Sequence, residues 1–411
     1  MAASALASLL DNDLYKFTMQ HAVLQHYRNT HVTYQFTNRE KNLHLNEEAV
    51  AWLKQQIQAL DTLSLSQEEK TYLSQLTFFD AAYVDYLTNF CYKPAEHVKV
   101  DFDPHTGDLE LEVSGLWHET ILYEVPLLAL ISESYFRFVD QDWSYDGQQD
   151  KAIKKATRLL NAGCVFSEFG TRRRRDFKTH DIVMSSLTQE YQVYQKDAEQ
   201  RNDTATKGVF MGTSNVHLAM KYKATPIGTV AHEFFMAVSA LEGVPGANRK
   251  TLEKWHDTYQ GALGIALTDT FTTPVFLKDF NRDLADKYIG VRQDSGNPSD
   301  FIPLMVQHYK SLGIDPQTKV IVFSDSLDVD RAIKLLSLAN KHGIKASFGI
   351  GTSFTNDYQK LSDPSQKSKP LNIVIKIKEC NGKRVIKLSD DVLKNSADAA
   401  TVDAFKRQLG L

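Results

Sequence analysis

A histidine and an acid follow two neighbouring apolar runs in the second half of this 411-residue chain. His232 lies near the end of PIGTVAHE (226–233), and Asp269 ends the next run, GIALTD (264–269). A carboxylate bound to one ring nitrogen fixes the tautomer of an imidazole and leaves the other nitrogen as base, acid or nucleophile. We expect Asp269 to be that partner, and Glu233 to be less suited because adjacent helical residues diverge. The alternative is a histidine that only stabilises the structure.

A cation, an acid, a hydroxyl and a glycine follow a third apolar run, in GVRQDSG (290–296). Arg292 and Asp294 are two residues apart, so in extended backbone they point to the same side. This spacing suits a ligand that carries an anionic group together with sugar hydroxyls or a bound metal. A structural salt bridge between the two is the alternative.

Four consecutive arginines, Arg172 to Arg175, lie in EFGTRRRRDF (168–177). A guanidinium group binds carboxylate or phosphate through two parallel hydrogen bonds, and Phe169 offers a flat ring for stacking on an aromatic substrate. We expect at least one of the arginines to enter a site. The alternative is a solvated, polyanion-facing patch.

Two glycine and hydroxyl turns complete the candidate set. GIGTS (349–353) is typical of a phosphate cradle, because glycines let backbone N–H groups approach an anion and Thr352 or Ser353 adds a hydroxyl. GTSN (212–215) is similar, but it also reads as a plain helix start capped by Ser214 or Asn215.

These polar residues need elements that bring them together, and the spacing of the apolar runs predicts those elements. Seven β-rich runs are separated by helix-length amphipathic segments, which favours parallel strands with crossover helices. If the sheet closes into a barrel, its ligands bind where the strands end, and the polar residues fall there. The runs are CVFSEFG (164–170), GVFMGTSN (208–215), PIGTVAHE (226–233), GIALTD (264–269), YIGVRQDSG (288–296), KVIVFSD (319–325) and ASFGIGT (346–352).

The predicted fold is an irregular seven-stranded TIM-like α/β barrel with a second α+β domain. We assign the barrel to residues 126–355, the α+β domain to 1–125, and a returning C-terminal segment to 356–411. Strands from 371–389 are expected to join the first domain, through a hairpin over 372–389 that turns at Asn381-Gly382. The other predicted elements are helices over 47–60 and 126–140 and strands over 97–103 and 109–115.

Composition excludes several classes of function. Hydrophobic residues make up 42% and charged residues 24%, and the net charge of -4 provides no cationic field for nucleic acid. The three cysteines have no CxxC spacing, which argues against a disulfide framework or a zinc site. The longest apolar stretch after the N-terminus, VPLLALI (125–131), is far shorter than the ~20 residues that span a bilayer. We expect a cytoplasmic protein that binds neither membrane nor nucleic acid.

Nine motifs, in order along the chain, resemble those of the nicotinate phosphoribosyltransferase family of NAD synthesis, among the type II phosphoribosyltransferases. No single motif decides the resemblance, but nine in order are highly specific. The motifs are LLDNDLYKFTM (9–19), YQFTNR (34–39), EFGTRRRRDF (168–177), MGTSN (211–215), PIGTVAHE (226–233), ALTDTF (266–271), GVRQDSGNP (290–298), FSDSLDV (323–329) and FGIGTSFTND (348–357).

The resemblance implies that nicotinate and phosphoribosyl pyrophosphate give nicotinate mononucleotide and pyrophosphate, coupled to ATP hydrolysis through a phosphohistidine at His232. It implies catalytic roles for His232, Asp269 and Asp294. The implied nicotinate site comprises Tyr15, Phe169, Arg172, Thr229 and Arg292. The implied phosphoribosyl and phosphate site comprises Ser214, Asp294, Ser295, Gly296, Asp325, Gly349, Gly351 and Thr352.

ATP and Mg²⁺ are the expected cofactors, with Mg²⁺ held mainly by pyrophosphate and no metal ligand assigned. Because the chain has no GxxxxGK[ST] motif, we expect ATP to use the phosphoribosyl pyrophosphate pocket. VIVFSDSL (320–327) lacks the paired acids of phosphoribosyltransferases with a doubly wound sheet, which favours the barrel type. The chain is expected to be a monomer or homodimer, and Tyr15 to reach the site from the first domain or from a second subunit.

Three alternatives remain open at this point. The first is a nicotinamide or quinolinate phosphoribosyltransferase. The second is an aldolase or sugar-phosphate isomerase, although none of the seven strand ends supplies a Schiff-base lysine. The third is a binding-only barrel that acts as a sensor.

Overall fold

The computed structural model describes residues 4–40, 42–200, 208–391 and 399–411. The elements of the first third, in chain order, are α1 (Leu14–His26), β1 (His31–Asn38), α2 (Glu47–Ala59), α3 (Gln67–Ser74), α4 (Ala81–Thr88), α5 (Pro94–His97), β2 (Val98–Asp103), β3 (Asp108–Leu116), α6 (Trp117–Thr120) and α7 (Glu124–Phe138). The helix and strands predicted over 47–60, 97–103 and 109–115 are present as α2, β2 and β3. The helix predicted over 126–140 begins two residues earlier, at Glu124.

Strands and helices alternate through the middle of the chain. They are α8 (Gln148–Asn161), β4 (Val165–Glu168), α9 (Phe177–Gln200), β5 (Val209–Thr213), α10 (Val216–Tyr222), β6 (Thr225–Pro226), α11 (His232–Glu242), α12 (Ala247–Tyr259), β7 (Ile265–Leu267), α13 (Thr273–Asp279), α14 (Arg282–Lys287), β8 (Gly290–Gln293), α15 (Pro298–Ser311), β9 (Val320–Phe323), α16 (Val329–His342), β10 (Lys345–Ile350) and α17 (Thr352–Thr355).

The remaining elements follow residue 357. They are β11 (Tyr358–Gln359), β12 (Lys367–Ser368), β13 (Ile373–Cys380), β14 (Lys383–Arg384) and α18 (Ala399–Leu409). Short 3-10 turns lie at Leu60–Thr62, Ile121–Tyr123, Thr171–Arg173 and Pro316–Thr318.

Seven parallel strands form one sheet in the order β6-β5-β4-β10-β9-β8-β7. From β4, the strands β5 and β6 follow in chain order towards one edge of the sheet. The strands β7 to β10 follow in chain order from the other edge, so that β10 lies beside β4. The two edge strands, β6 and β7, are not paired with each other, so the hydrogen-bonded sheet stays open there. The α/β class and the seven parallel strands are confirmed.

Two glycines permit close contacts within this sheet. A Cβ atom on Gly212 would lie 2.0 Å from the Thr225 carbonyl oxygen, and one on Gly290 would lie 2.1 Å from the Val320 carbonyl oxygen. Any larger residue would therefore separate β5 from β6, or β8 from β9.

The sixth predicted strand is much shorter than the sequence pattern indicated. β6 covers only Thr225–Pro226, and residues 227–231 have no regular structure before α11 begins at His232. Pro226 has no N–H for a further ladder, and Gly228 packs against the chain at Tyr15, where a Cβ would lie 2.8 Å from the backbone nitrogen.

A separate antiparallel sheet has the order β14-β13-β1-β3-β2. β13 therefore lies beside β1, more than 300 residues earlier in the chain, with Phe36 opposite Ile375. The hairpin turns at Asn381 and Gly382, both with positive φ, as a type I′ turn requires. It is shorter than predicted, because the chain leaves the hairpin after Val385, whose N–H still donates to the Lys378 carbonyl oxygen, and Leu388 pairs with Phe271 beyond β7.

α7 packs against α2, β13 and the turn at Thr171–Arg173, and its apolar residues are buried along almost its whole length. Among the described residues, no helix is both long enough and apolar enough to cross a membrane.

Candidate active site

His232, at the start of α11, contacts groups from three other segments. Its Nδ1 lies 2.9 Å from Thr270 Oγ1, and its Nε2 lies 2.8 Å from Asp294 Oδ2 and 2.9 Å from Lys387 Nζ. Burial, followed by the charge of Lys387, holds the pKa of His232 below its usual value, against the opposing effect of Asp269 and Asp294. The imidazole is thus favoured in its neutral, nucleophilic form.

The hydrogen-bond partner of His232 differs from the sequence expectation. Asp269 Oδ1 lies 3.8 Å from Nε2, too far for a hydrogen bond, whereas Asp294 is within hydrogen-bond distance. Asp269 instead accepts a hydrogen bond from Ser295 Oγ at 2.5 Å and pairs with Lys387 at 3.4 Å. Asp269 therefore belongs to the same cluster, one contact away from the ring.

Asp294 comes directly after β8 and is half-buried. Although burial raises the pKa of its carboxyl, His232, Arg292 and Lys387 together hold that pKa well below its ordinary value. Ser324 donates a hydrogen bond to Oδ1 at 2.8 Å. Asp294 is therefore an ionised acceptor beside the imidazole.

Lys387 was not identified from the sequence. It lies in the segment 385–389, every residue of which is buried, and its own side chain is 7% exposed. A single lysine within the apolar run Val385 to Leu388 was the available signal, because a lysine buried at such a position needs a partner.

The arginine run divides into structural and accessible members. Arg174 and Arg175 are fully buried. Arg174 donates two hydrogen bonds of 2.7 Å to Asp11, and Arg175 donates one of 2.8 Å to Ser368 Oγ. These two residues hold the core, so the solvated-patch alternative is wrong for them.

Arg172 is the arginine that remains accessible, with 46% of its side chain exposed. Its pKa is raised first by Tyr15 and then by nearby carboxylates, including Glu124 and Asp13. Arg173, by contrast, donates from Nε to the Ile373 carbonyl oxygen at 3.2 Å.

Tyr15 and Phe169 are the residues predicted to supply the two aromatic faces. The backbone next to Tyr15 lies against the end of β5, where the Leu14 N–H donates to the Ser214 carbonyl oxygen at 2.7 Å. The Tyr15 hydroxyl is buried and has no hydrogen-bond partner among the described residues. Phe169, half-buried after β4, lies with its ring 3.4 Å from where a Cβ of Gly349 would be.

The side chain of Arg292 also has a buried polar atom without a hydrogen-bond partner among the described residues. This atom is Nε, while the carbonyl oxygen of Arg292 accepts from Thr268 Oγ1 at 3.1 Å. A buried guanidinium donor without a partner is costly in free energy. The Nε atoms of Arg174 and Arg175 are buried and unsatisfied in the same way.

Two residues assigned from the resemblance have their hydroxyl groups committed elsewhere. Ser214 is fully buried and donates to Asp13 Oδ1 at 2.7 Å. Thr229 Oγ1 lies 3.0 Å from the carbonyl oxygens of both Leu263 and Ile265, across the gap between β6 and β7. In this structure Thr229 links the two edges of the sheet.

The other phosphate-site candidates follow the ends of their strands. Ser295 and Gly296 come after β8, Gly296 exposed with φ +76°, and Asp325 comes after β9, half-buried. Gly349 is the penultimate residue of β10 and is buried, and Gly351 and Thr352 follow the strand, half-buried. Asn215 caps α10, as the helix-start interpretation of GTSN predicted.

His232, Asp269 and Asp294 together have the chemistry of cation ligands, with donor atoms within 4.8 Å of one another. The ammonium of Lys387 already lies against this cluster, at 2.9 Å from His232 and 3.4 Å from Asp269. The positive charge here is supplied by the protein, and we do not assign these three residues to a metal.

Comparison with known proteins agrees with this arrangement. Residues 164–411 match the sequence profile described as the nicotinate phosphoribosyltransferase (NAPRTase) family, and residues 10–132 match its N-terminal domain. The chain belongs to the nicotinate phosphoribosyltransferase family. It is an enzyme of that family, as its motifs predicted.

Relatives in the family align over nearly the full length of the chain. The probable nicotinate phosphoribosyltransferase of Schizosaccharomyces pombe is 47% identical, with all of this chain and 99% of the relative covered. The nicotinate phosphoribosyltransferase of Saccharomyces cerevisiae is 44% identical, over 100% and 96% of the two chains.

Solved structures of the family have the same fold. A crystal structure of a putative nicotinate phosphoribosyltransferase from Saccharomyces cerevisiae superimposes with a TM-score of 0.93 at 43% identity, covering 100% of this chain and 99% of the other. The enzyme from Porphyromonas gingivalis gives 0.88 at 34% identity, covering 98% and 99%. Membership excludes the aldolase alternative.

Proposed function

We propose that the chain forms nicotinate mononucleotide and pyrophosphate from nicotinate and phosphoribosyl pyrophosphate, the first step of NAD synthesis from nicotinate. ATP hydrolysis is coupled to the transfer through a phosphohistidine at His232. The observation that carries the proposal is the convergence of His232, Asp294 and Arg292 at one end of the parallel sheet. Family membership favours nicotinate over nicotinamide and quinolinate.

Nicotinate is a flat ring with one carboxylate, and the site offers matching groups. Tyr15 and Phe169 supply aromatic faces, and Arg172 and Arg292 supply guanidinium groups that pair with a carboxylate. Arg292 has an unsatisfied buried Nε, so ligand binding would relieve a cost present in the unbound enzyme.

The transfer step needs positioning more than a base. The lone pair of the pyridine nitrogen attacks the anomeric carbon, the carbon–oxygen bond to pyrophosphate breaks, and its electron pair leaves with pyrophosphate. Asp294 and Asp325 provide acceptors for ribose hydroxyls, and the backbone at Gly349 and Gly351 allows close approach of phosphate oxygens.

Phosphorylation of His232 uses the neutral imidazole. A ring nitrogen lone pair attacks the γ-phosphorus of ATP, the bond to the β-phosphate oxygen breaks, and ADP leaves with the electron pair. The other ring nitrogen keeps its proton and donates it in a hydrogen bond. Asp294 can accept a proton from Nε2 and Lys387 can only donate one to it, so the two contacts belong to different tautomers.

Magnesium supplies charge neutralisation at phosphate oxygens when it is bound. We assign it no protein ligand. We keep Mg²⁺ as a ligand of the substrate phosphates. The cytoplasmic location and the monomeric or homodimeric state stay predictions.

Incubation of the enzyme with γ-labelled ATP tests the coupling. We expect an acid-labile, base-stable label on His232 and none in His232→Ala, which should lose ATP stimulation while keeping some transfer activity. Absence of the label from the unmodified enzyme during turnover would remove the phosphohistidine. Competition between ATP and phosphoribosyl pyrophosphate would support a shared pocket, and independent saturation would refute it.

A further inference from the structure

The last part of the chain brings a buried ammonium group to the candidate nucleophile. After Val385, residues 386–389 leave the antiparallel sheet and run beside residues 271–273, where Thr272 N donates to the Leu388 carbonyl oxygen at 3.3 Å. Thr273 is fixed to the same segment by Asp390, with a 2.7 Å hydrogen bond from its N–H. Lys387 is thereby held over the end of β7.

The charges around His232 would be unbalanced without this lysine. Asp294 and Asp269 place two carboxylates at 2.8 and 3.8 Å from Nε2. Nearby negative charge favours a protonated imidazole, which has no free lone pair and cannot attack phosphorus. Lys387 Nζ, at 2.9 Å from Nε2 and 3.4 Å from Asp269 Oδ2, opposes that effect.

We propose that Lys387 is a positioning residue that keeps the His232 imidazole unprotonated between two carboxylates, so that His232 is available to accept a phosphoryl group. The proposal rests on the phosphohistidine of the proposed function. It assigns to the C-terminal segment a role in the chemistry in addition to its role in the fold.

Other charged groups around the cluster do not replace this lysine. Arg292 contributes to the low pKa of Asp294, whereas the cation with the main effect on the pKa of His232 is Lys387. Asp390, whose own pKa is raised by burial, adds a further acid next to Lys387. Among the described residues, the groups that face His232, Asp294 and Lys387 include Asp269, Thr270, Arg172, Arg292, Ser295, Ser324 and Asp390.

The decisive measurement is the protonation of His232 itself as a function of pH. It is measured by NMR on the full-length enzyme carrying ¹³C-labelled histidine, and the His232 signal is assigned as the one that is missing in His232→Asn. Lys387→Met and Lys387→Gln both remove the charge, and Lys387→Gln keeps a hydrogen-bond donor. We expect the titration midpoint of His232 to rise by about one pH unit in both variants. Lys387→Arg should keep the wild-type midpoint.

Lys378→Met is the matched control, since Lys378 lies on β13 in the same C-terminal region and its side chain is 41% exposed. It should leave the midpoint unchanged. An unchanged or lower midpoint in folded Lys387→Gln would overturn the proposal, whether or not Lys387→Met folds.

The rate of labelling by γ-labelled ATP supplies a functional readout. In Lys387→Gln, the fall in the labelling rate on the acidic side of the pH profile should shift to higher pH together with the titration midpoint of His232. The rate should recover towards the wild-type value at high pH. A rate reduced by the same factor at every pH would show a merely structural lysine and contradict the proposal. Absence of label from the wild-type enzyme would instead refute the phosphohistidine, while the NMR titration would still judge Lys387.

Discussion

Arg174 donates two hydrogen bonds of 2.7 Å to the carboxylate of Asp11, and both side chains are fully buried. The pair joins the segment before α1 to the segment that follows the 3-10 turn at Thr171–Arg173. Arg174 lowers the pKa of Asp11 to about 2, against the opposing effect of burial. Asn215 donates a third hydrogen bond to the same carboxylate at 2.7 Å. Hydrogen bonds between Asp11, Arg174 and Asn215 therefore connect three of the motifs that the sequence suggested for ligand binding.

Removal of one partner of this pair should be costly. Arg174→Met leaves a buried carboxylate without its cation, and we expect a loss of about 3–5 kcal/mol in the free energy of unfolding, measured with urea. Asp11→Asn/Arg174→Met should lose less than the sum of the two single variants. Strict additivity of the two losses would show that the pair is not coupled.

Arg172 should contribute to nicotinate affinity. Arg172→Ala removes a half-exposed guanidinium beside Tyr15, and we expect the KM for nicotinate to rise by about 10- to 100-fold, as for a charged hydrogen bond, with kcat little changed. Steady-state kinetics at saturating phosphoribosyl pyrophosphate measure this. Arg173→Ala is the control, because Arg173 binds the Ile373 carbonyl oxygen. Equal KM values in wild type and Arg172→Ala would refute the assignment.

Thr229 offers a choice between a substrate contact and a structural contact. Thr229→Val removes the hydroxyl that bridges Leu263 and Ile265, and we expect the free energy of unfolding to fall by about 1–3 kcal/mol. Thr229→Ser should retain most of the stability. If Thr229→Val raised the KM for nicotinate at unchanged stability, the hydroxyl would belong to the nicotinate site instead.

Glu133 should make stability depend on pH near neutrality. Burial raises the pKa of this carboxyl to about 7, against the effect of Arg174. Because the folded pKa lies above the unfolded value, its contribution is fully present below about pH 4.5 and is lost as pH rises through 7. Glu133→Gln should therefore be more stable than wild type at pH 8, by about 2 kcal/mol.

Urea unfolding at several pH values between 4.5 and 8 measures this difference. The gap between wild type and Glu133→Gln should widen as pH increases. A constant gap across that range would contradict the assignment.

Local patterns predicted much of the fold. The apolar runs predicted strands at β4, β5 and β7 to β10, because a buried parallel strand is a short run of apolar residues. PIGTVAHE failed as a strand because Pro226 and the packing of Gly228 against Tyr15 stop the ladder. That contact joins residues more than 200 positions apart, so no local pattern reveals it.

The sequence predicted which residues belong to the site more readily than it predicted the contacts between them. His232 and Asp294 were identified from the ends of apolar runs, but the hydrogen bond between them depends on where α11 begins relative to β8. Lys387 was missed because its segment reaches the sheet only after passing through the other sheet. Side-chain chemistry is local information, whereas the meeting of distant segments is not.

The position of β13, between β1 and β14, has a consequence for biosynthesis. A growing chain on the ribosome lacks an inner strand of its first sheet until residue 380 has emerged, and Lys387 comes later still. Nearly the whole protein must therefore be translated before either sheet is finished. A prematurely terminated product would expose an unpaired β1 edge and, lacking Lys387, would carry an incomplete active site.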